Sequence, residues 1–189
     1  MEAPTSGSVL LAGVLLKLGF YGLIRFAFTL FPIGTEYFSP LAFTLALLSI
    51  FYGGLTTLRQ VDIKRIIAYS SIVHMNYGLL GLFSNTIEGI TGSIFVMLSH
   101  GLVASALFLA VGFLYDRYHS RLIRYYSGLS QILPLYCTVL FLLTIANFGF
   151  PGTSSFIGEF LILVGIFQHN AMLGILAGVS LFLGTVFSL

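Results

Sequence analysis

The amino-acid sequence reads as an all-α polytopic membrane protein with about six transmembrane helices, one of them discontinuous. Three observations lead there. Of 189 residues, 58% are hydrophobic and only 7% are charged. A soluble domain carries roughly 25% charged residues, so a water-facing surface cannot be assembled from this composition. The mean hydropathy is +1.04. Six apolar stretches recur along the chain, on the scale of the about 20 residues a bilayer-crossing helix needs. A secreted disulfide scaffold, a disordered chain and an ordinary soluble enzyme are excluded. The net charge of +2 leaves no basic surface for nucleic acid. Cys137, the single cysteine, lies in an apolar run and is expected to be small buried filler. Met1-Glu2-Ala3-Pro4 holds no basic residue ahead of its apolar stretch, so no cleaved signal or transit peptide is expected.

The whole chain, 1–189, is expected to form one membrane domain. The first span covers about 5–31, with Thr5 or Ser6 as N-cap and Pro32 and Gly34 as its stop. The second covers about 40–58, the third 64–83 and the fourth 92–115. The fifth, 132–167, is interrupted by Asn147-Phe148-Gly149-Phe150-Pro151-Gly152-Thr153-Ser154-Ser155; the sixth covers 172–189. The piece after the interruption is about 20 Å long at 1.5 Å per residue, too short for a hydrocarbon core of about 30 Å. One broken helix is therefore expected near Gly149-Pro151-Gly152. Pro151 removes a backbone donor, the glycines permit unwinding, and Thr153, Ser154 and Ser155 can cap the restarted half. Broken helices at membrane depth are tolerated only inside protein or against a wet cavity, and they mark ion sites in transporters.

Charge placement supports this layout. Arg59, Lys64 and Arg65 accompany Asp62 between the second and third spans. Arg117, Arg121 and Arg124 accompany Asp116 after the fourth. Two spans separate these segments, so both lie on one membrane side. The opposite loops carry Glu36 and Glu88 and no Lys or Arg. This is a positive-inside pattern, with the basic loops toward the matrix or cytoplasm.

Four titratable residues fall within apolar runs: Lys17, His74, His100 and Glu159. A central lysine costs about 3 kcal/mol on insertion scales, a cost that leucine would remove. Side chains that gain and lose protons are suitable steps for a proton path, and imidazole can receive a proton on one nitrogen and pass one from the other. Helix packing and interhelical hydrogen bonding are the plainer reading, and the insertion cost argues against it. No two histidines share a helix face at ligand spacing, so no metal site is expected. His119 and His169 are expected in solvated loops, and Arg25 to snorkel to the interface. Ser70, Ser71, Ser99, Thr144 and Asn147 flank the titratable groups. They can hold bridging waters or simply bond the helix backbone. Phosphate loops, catalytic triads and CxxC metal motifs are absent from the sequence, so no cofactor is expected on this chain.

Several stretches together carry a family resemblance. Glu2-Ala3-Pro4-Thr5-Ser6-Gly7-Ser8 leads into Leu15-Leu16-Lys17-Leu18-Gly19. Asp62-Ile63-Lys64-Arg65-Ile66-Ile67-Ala68-Tyr69-Ser70-Ser71 leads to His74-Met75. Ser99-His100-Gly101-Leu102, Tyr115-Asp116-Arg117, Pro151-Gly152-Thr153 and Phe156-Ile157-Gly158-Glu159-Phe160 follow in order. The chain resembles the subunit-4 family of mitochondrial NADH dehydrogenase (respiratory complex I) over essentially its whole length. That resemblance implies half of an antiporter-like inverted-repeat fold in the mitochondrial inner membrane. It implies a proton-translocating role, with Lys17 as central relay, His74 and His100 on the polar axis and Glu159 as outer carrier on the broken helix. Sister subunits and antiporters usually place lysine at that last position, so Glu159 favours subunit 4.

The family has a further N-terminal half with a glutamate–lysine pair and continues beyond the last span. The chain is accordingly expected to be a fragment. Other membrane-arm subunits, a chain supplying the N-terminal half, one supplying the C-terminal part, and lipids are the expected partners. NADH, FMN, iron–sulfur clusters and ubiquinone would be held elsewhere in the complex. Two other readings share these residues: a subunit of a multi-subunit cation/proton antiporter, and a non-conducting membrane scaffold.

Overall fold

The structure, a computed structural model, describes residues 4–188. Met1, Glu2 and Ala3 of the N-terminal motif, and Leu189 at the end of the last expected span, lie outside the described residues. Among the described residues, seven longer helices carry the fold: α1 Thr5–Leu30, α2 Pro32–Leu58, α3 Ile63–Phe83, α4 Ile87–Tyr118, α5 Pro134–Asn147, α6 Ser154–His169 and α7 Ala171–Ser188. The first four are long and apolar enough to cross a membrane.

Local chemistry sets the ends. Thr5 and Ser6 do not cap α1: Pro4 holds the N-cap position and no side chain bonds there. The proline φ already suits helix entry, and its backbone carbonyl accepts from Ser8 N and Ser8 Oγ, both at 3.1 Å. Helix α2 begins at Pro32, earlier than the expected 40, because a proline at the first helical position sacrifices no hydrogen bond. Pro40 is carried inside it. Helix α4 also starts early, because Thr86 Oγ1 accepts from Gly89 N at 3.1 Å. It stops at His119, whose φ is +50°. Asp62 stands at the N-cap of α3, but its carboxylate pairs with Arg65 Nε at 3.0 Å instead of capping.

The two basic segments meet. Ile63 N donates to Arg121 O at 3.1 Å and Ile123 N to Val61 O at 3.2 Å, forming a one-residue antiparallel bridge between Asp62 and Leu122. This is the shared end that their charge pattern called for.

Lipid offers helices no hydrophobic drive to associate, so close packing through small residues must hold them. The α4–α6 crossing is built that way. A Cβ on Gly92 would stand 2.8 Å from Ile162 N, and one on Gly158 2.9 Å from Val96 N. Around this crossing Ile50, Val73, Tyr77, Leu80, Val96 and Ile162 form the main core. A second cluster, including Ala12, Ile67, Ala104 and Phe108, joins α1, α3 and α4. Cys137 is half-buried on α5 rather than enclosed, because it lines an open cleft of about 580 Å³ between α5, α3 and α4.

Candidate functional site

The four titratable residues come together at the centre of the bundle, each from a different helix: Lys17 from α1, His74 from α3, His100 from α4 and Glu159 from α6. His74, His100 and Glu159 are only 7%, 5% and 6% exposed. Lys17 is half-buried at the edge of the group.

Helix α1 departs from α geometry just before Lys17. Leu11–Leu15 is a π-helical stretch, and Leu16 N bonds Leu11 O, five residues back. Such insertions are rare and frequent at functional sites. Lys17 Nζ donates to Ala12 O at 2.5 Å and lies 3.0 Å from His100 Nδ1. The lysine stem reaches across α4 where that helix has no side chain. A Cβ on Gly101 would stand 3.4 Å from both Lys17 Cε and Gly13 O. Gly101 thus permits the approach that the adjacent His100 exploits.

From His100 the group continues inward. The His74 and His100 ring centroids are 5.6 Å apart, with planes tilted by 43°. His74 Nδ1 is 3.3 Å from Glu159 Oε1. Tyr77 OH, one turn beyond His74, donates to Glu159 O at 3.2 Å and ties α3 to the backbone of α6. His74 Nε2 and His100 Nε2 are both buried and lack a hydrogen-bond partner.

The roles of the ring nitrogens are constrained. A protonated Lys17 donates to His100 Nδ1, which leaves the His100 proton on Nε2. A Glu159 carboxylate accepts from a protonated His74 Nδ1, which leaves His74 Nε2 as an acceptor. The two unpartnered nitrogens are then a donor and an acceptor. With those protonation states the side-chain donors run from Lys17 toward Glu159.

The break between α5 and α6 abuts Glu159. Gly149 has φ +70° and Gly152 φ +104°. Thr153 stands at the N-cap of α6, yet none of Thr153, Ser154 and Ser155 caps it through a side chain. Thr153 Oγ1 donates to Phe150 O at 2.8 Å and lies 3.1 Å from Ser155 Oγ, and Ser155 Oγ donates back across the break to Ala146 O. The Ser155 hydroxyl thus satisfies the end of α5, and that of Thr153 closes the break itself.

Other hydroxyls singled out from the sequence face their own helices. Ser70 and Ser71 both donate to Ile67 O at 2.9 Å, Ser99 to Val96 O at 3.2 Å and Thr144 to Phe141 O at 2.8 Å. Ser70, Thr144 and Asn147 do share the cleft beside α5. His119 and His169 are exposed at helix ends, His169 with its ring 5.2 Å from that of Phe43. Arg25 is exposed near the end of α1. Among the described residues no group of three or more His, Cys, Asp or Glu converges as a metal-ligand set. Sequence reasoning missed Tyr77, the crossing of Gly101 by the lysine stem and the Ala12 carbonyl. It placed Gly149 in the interruption but not its contact with the Glu159 carboxylate.

Residues 1–185 match the family model described as NADH:quinone oxidoreductase/Mrp antiporter, transmembrane. The chain belongs to this family. Among curated relatives of this antiporter family, it is 56% identical to NADH-ubiquinone oxidoreductase chain 4 of Marchantia polymorpha and 57% identical to that of Arabidopsis thaliana. All 189 residues align in both cases, and the chain spans 38% of the length of each relative. Among solved structures, respiratory complex I from Thermus thermophilus with bound NADH contains a chain that is 35% identical with a TM-score of 0.87. The match covers 91% of this chain and 37% of that one. The Mrp complex from Dietzia sp. DQ12-45-1b shares the fold at 24% identity and a TM-score of 0.88, over 95% of this chain and 34% of that one.

Proposed function

We propose that this chain is a proton-translocating part of the membrane arm of NADH:ubiquinone oxidoreductase in the mitochondrial inner membrane. The observation that carries the reading is the buried row Lys17–His100–His74–Glu159, with polar contacts of 3.0 Å at one end and 3.3 Å at the other and ring centroids 5.6 Å apart between them. A water bonded to both unpartnered Nε2 atoms would join the two rings into one hydrogen-bonded line. Protons arrive at Lys17 and pass through His100 and His74 to Glu159. They leave on the side opposite the paired basic loops, toward the intermembrane space.

We read α5 and α6 as the halves of one spanning segment. Their 14 and 16 residues correspond to about 21 and 24 Å, each less than a hydrocarbon core of about 30 Å. Lys17 is half-buried on a helix whose Leu11, Val14, Leu15 and Leu18 are exposed. The remainder of the family fold would cover that face and bring the proton to Lys17. Other membrane-arm subunits and lipid would cover the remaining apolar exterior. Redox energy would enter elsewhere in the complex.

Lys17→Met and Glu159→Gln are expected to abolish or sharply reduce proton pumping while the complex still assembles. Proton-to-electron stoichiometry in vesicles energised with NADH and quinone measures this. A normal stoichiometry in both variants would refute the role.

A further inference from the structure

We propose that Gly149 is a positioning residue that holds the Glu159 carboxylate against His74. The proposal rests on the relay reading of Glu159. Three features of the helix break meet at this glycine. Gly149 N bonds Ala146 O and Phe150 N bonds Ile145 O, each at 3.4 Å. That pairing is the Schellman arrangement closing α5, with Gly149 at the left-handed position. The φ of +70° accounts for glycine as far as the backbone is concerned. It does not account for what lies beside it.

A Cβ built on Gly149 would overlap Glu159 Oε2 and stand 3.0 Å from Glu159 Cδ and 3.4 Å from Oε1. The missing side chain is the space that the carboxylate fills. The other two left-handed glycines, Gly128 at φ +77° and Gly152 at φ +104°, have nothing within 4 Å of such a Cβ. Only at Gly149 does the backbone requirement coincide with contact to a titratable group.

What would yield is also determined. Gly149 is held by the two capping bonds, and Glu159 O is held by Tyr77 OH. The carboxylate is the free end of a side chain with rotatable bonds. An added methyl therefore turns the carboxylate away and lengthens its 3.3 Å contact with His74 Nδ1, leaving the helices in place. A glycine serving only as a cap predicts damage to folding; a positioning glycine predicts damage to proton transfer.

The test uses the assembled complex in vesicles, energised with NADH and quinone, with proton translocation normalised to assembled complex. Gly149→Ala is expected to lower translocation about tenfold or more, since small misplacements of a reacting group are costly. It should also move the pH at half-maximal translocation. Gly152→Ala should do neither. Gly149→Asn, whose side chain tolerates the left-handed backbone, should behave as Gly149→Ala does and carries the test if alanine assembles poorly. Glu159→Asp withdraws the carboxylate by one methylene. Adding Gly149→Ala in that background is expected to cost less than about twofold more, the non-additivity of groups in contact. Equal fold-losses in both backgrounds, or full translocation per assembled complex in Gly149→Ala, would overturn the proposal. Full translocation in Glu159→Gln would remove the relay reading itself, so the two failures are distinct.

Discussion

His74 Nδ1 and Glu159 Oε1 lie 3.3 Å apart, so two residues 85 positions distant in the chain meet between α3 and α6. The contact links a continuous helix to a broken one. Glu159 stands on the second turn after α6 restarts at Ser154, close beside the break.

Among the described residues, Lys17 Nζ bonds one backbone carbonyl, Ala12 O, and one side chain, His100 at Nδ1. Replacing His100 by Phe keeps a ring of similar bulk and removes that partner. Proton translocation is expected to fall on the order of 10²-fold, the usual scale for losing a positioned acid–base group. Dye-monitored acidification of vesicles, scaled to assembled complex on native gels, reads this out. Unchanged acidification would take His100 out of the path.

Tyr77→Phe separates structure from transport. Its hydroxyl donates to a backbone carbonyl of α6, not to the carboxylate. The variant should lose about 1 kcal/mol of stability and retain its proton-to-electron ratio. Thermal unfolding of the purified complex checks the first part; a reduced ratio would contradict the second.

Gly158→Ala strikes the α4–α6 crossing. The new methyl would lie 2.7 Å from Val96 Cγ2 and 2.9 Å from Val96 N, and backbone cannot move aside. Overpacking of this kind costs about 1–3 kcal/mol, so the amount of assembled complex should drop severalfold. Gly178→Ala on α7 meets nothing within 4 Å and should assemble as the parent does. Similar yields for both variants would show that the crossing tolerates bulk.

The Asp62–Arg65 ion pair has side chains 27% and 54% exposed. Exposed pairs are worth about 0–1 kcal/mol. Arg65→Ala should therefore leave assembly and transport unchanged, and a large loss of either would assign this loop a role beyond topology.

The four central residues were legible because a titratable side chain in an apolar run carries an insertion cost that composition alone reveals. The break at Gly149-Pro151-Gly152 was legible because proline and glycine act on their own backbone. Contacts between distant residues were not. Nothing in Gly149 itself tells that Glu159 will lie against it, and nothing in Gly101 tells that a lysine stem will cross it. The start of α2 was read eight residues late, since Pro32 looks like a stop to the preceding helix as much as a start to the next. Of the two readings that the sequence leaves open for the hydroxyls, Ser70, Ser71, Ser99 and Thr144 follow the plainer one and bond carbonyls of their own helices.

The π-helical stretch at Leu11–Leu15 left no trace in residue type, because its widened turn is a matter of hydrogen-bond register. The widened turn takes up one residue more than an α-helical turn holds. Deleting a single amino acid there would restore α-helical geometry through the stretch and leave the ammonium group aimed at α4. One residue added between Leu16 and Lys17, where no further widened turn can take it up, would instead turn the lysine by about 100° away from His100.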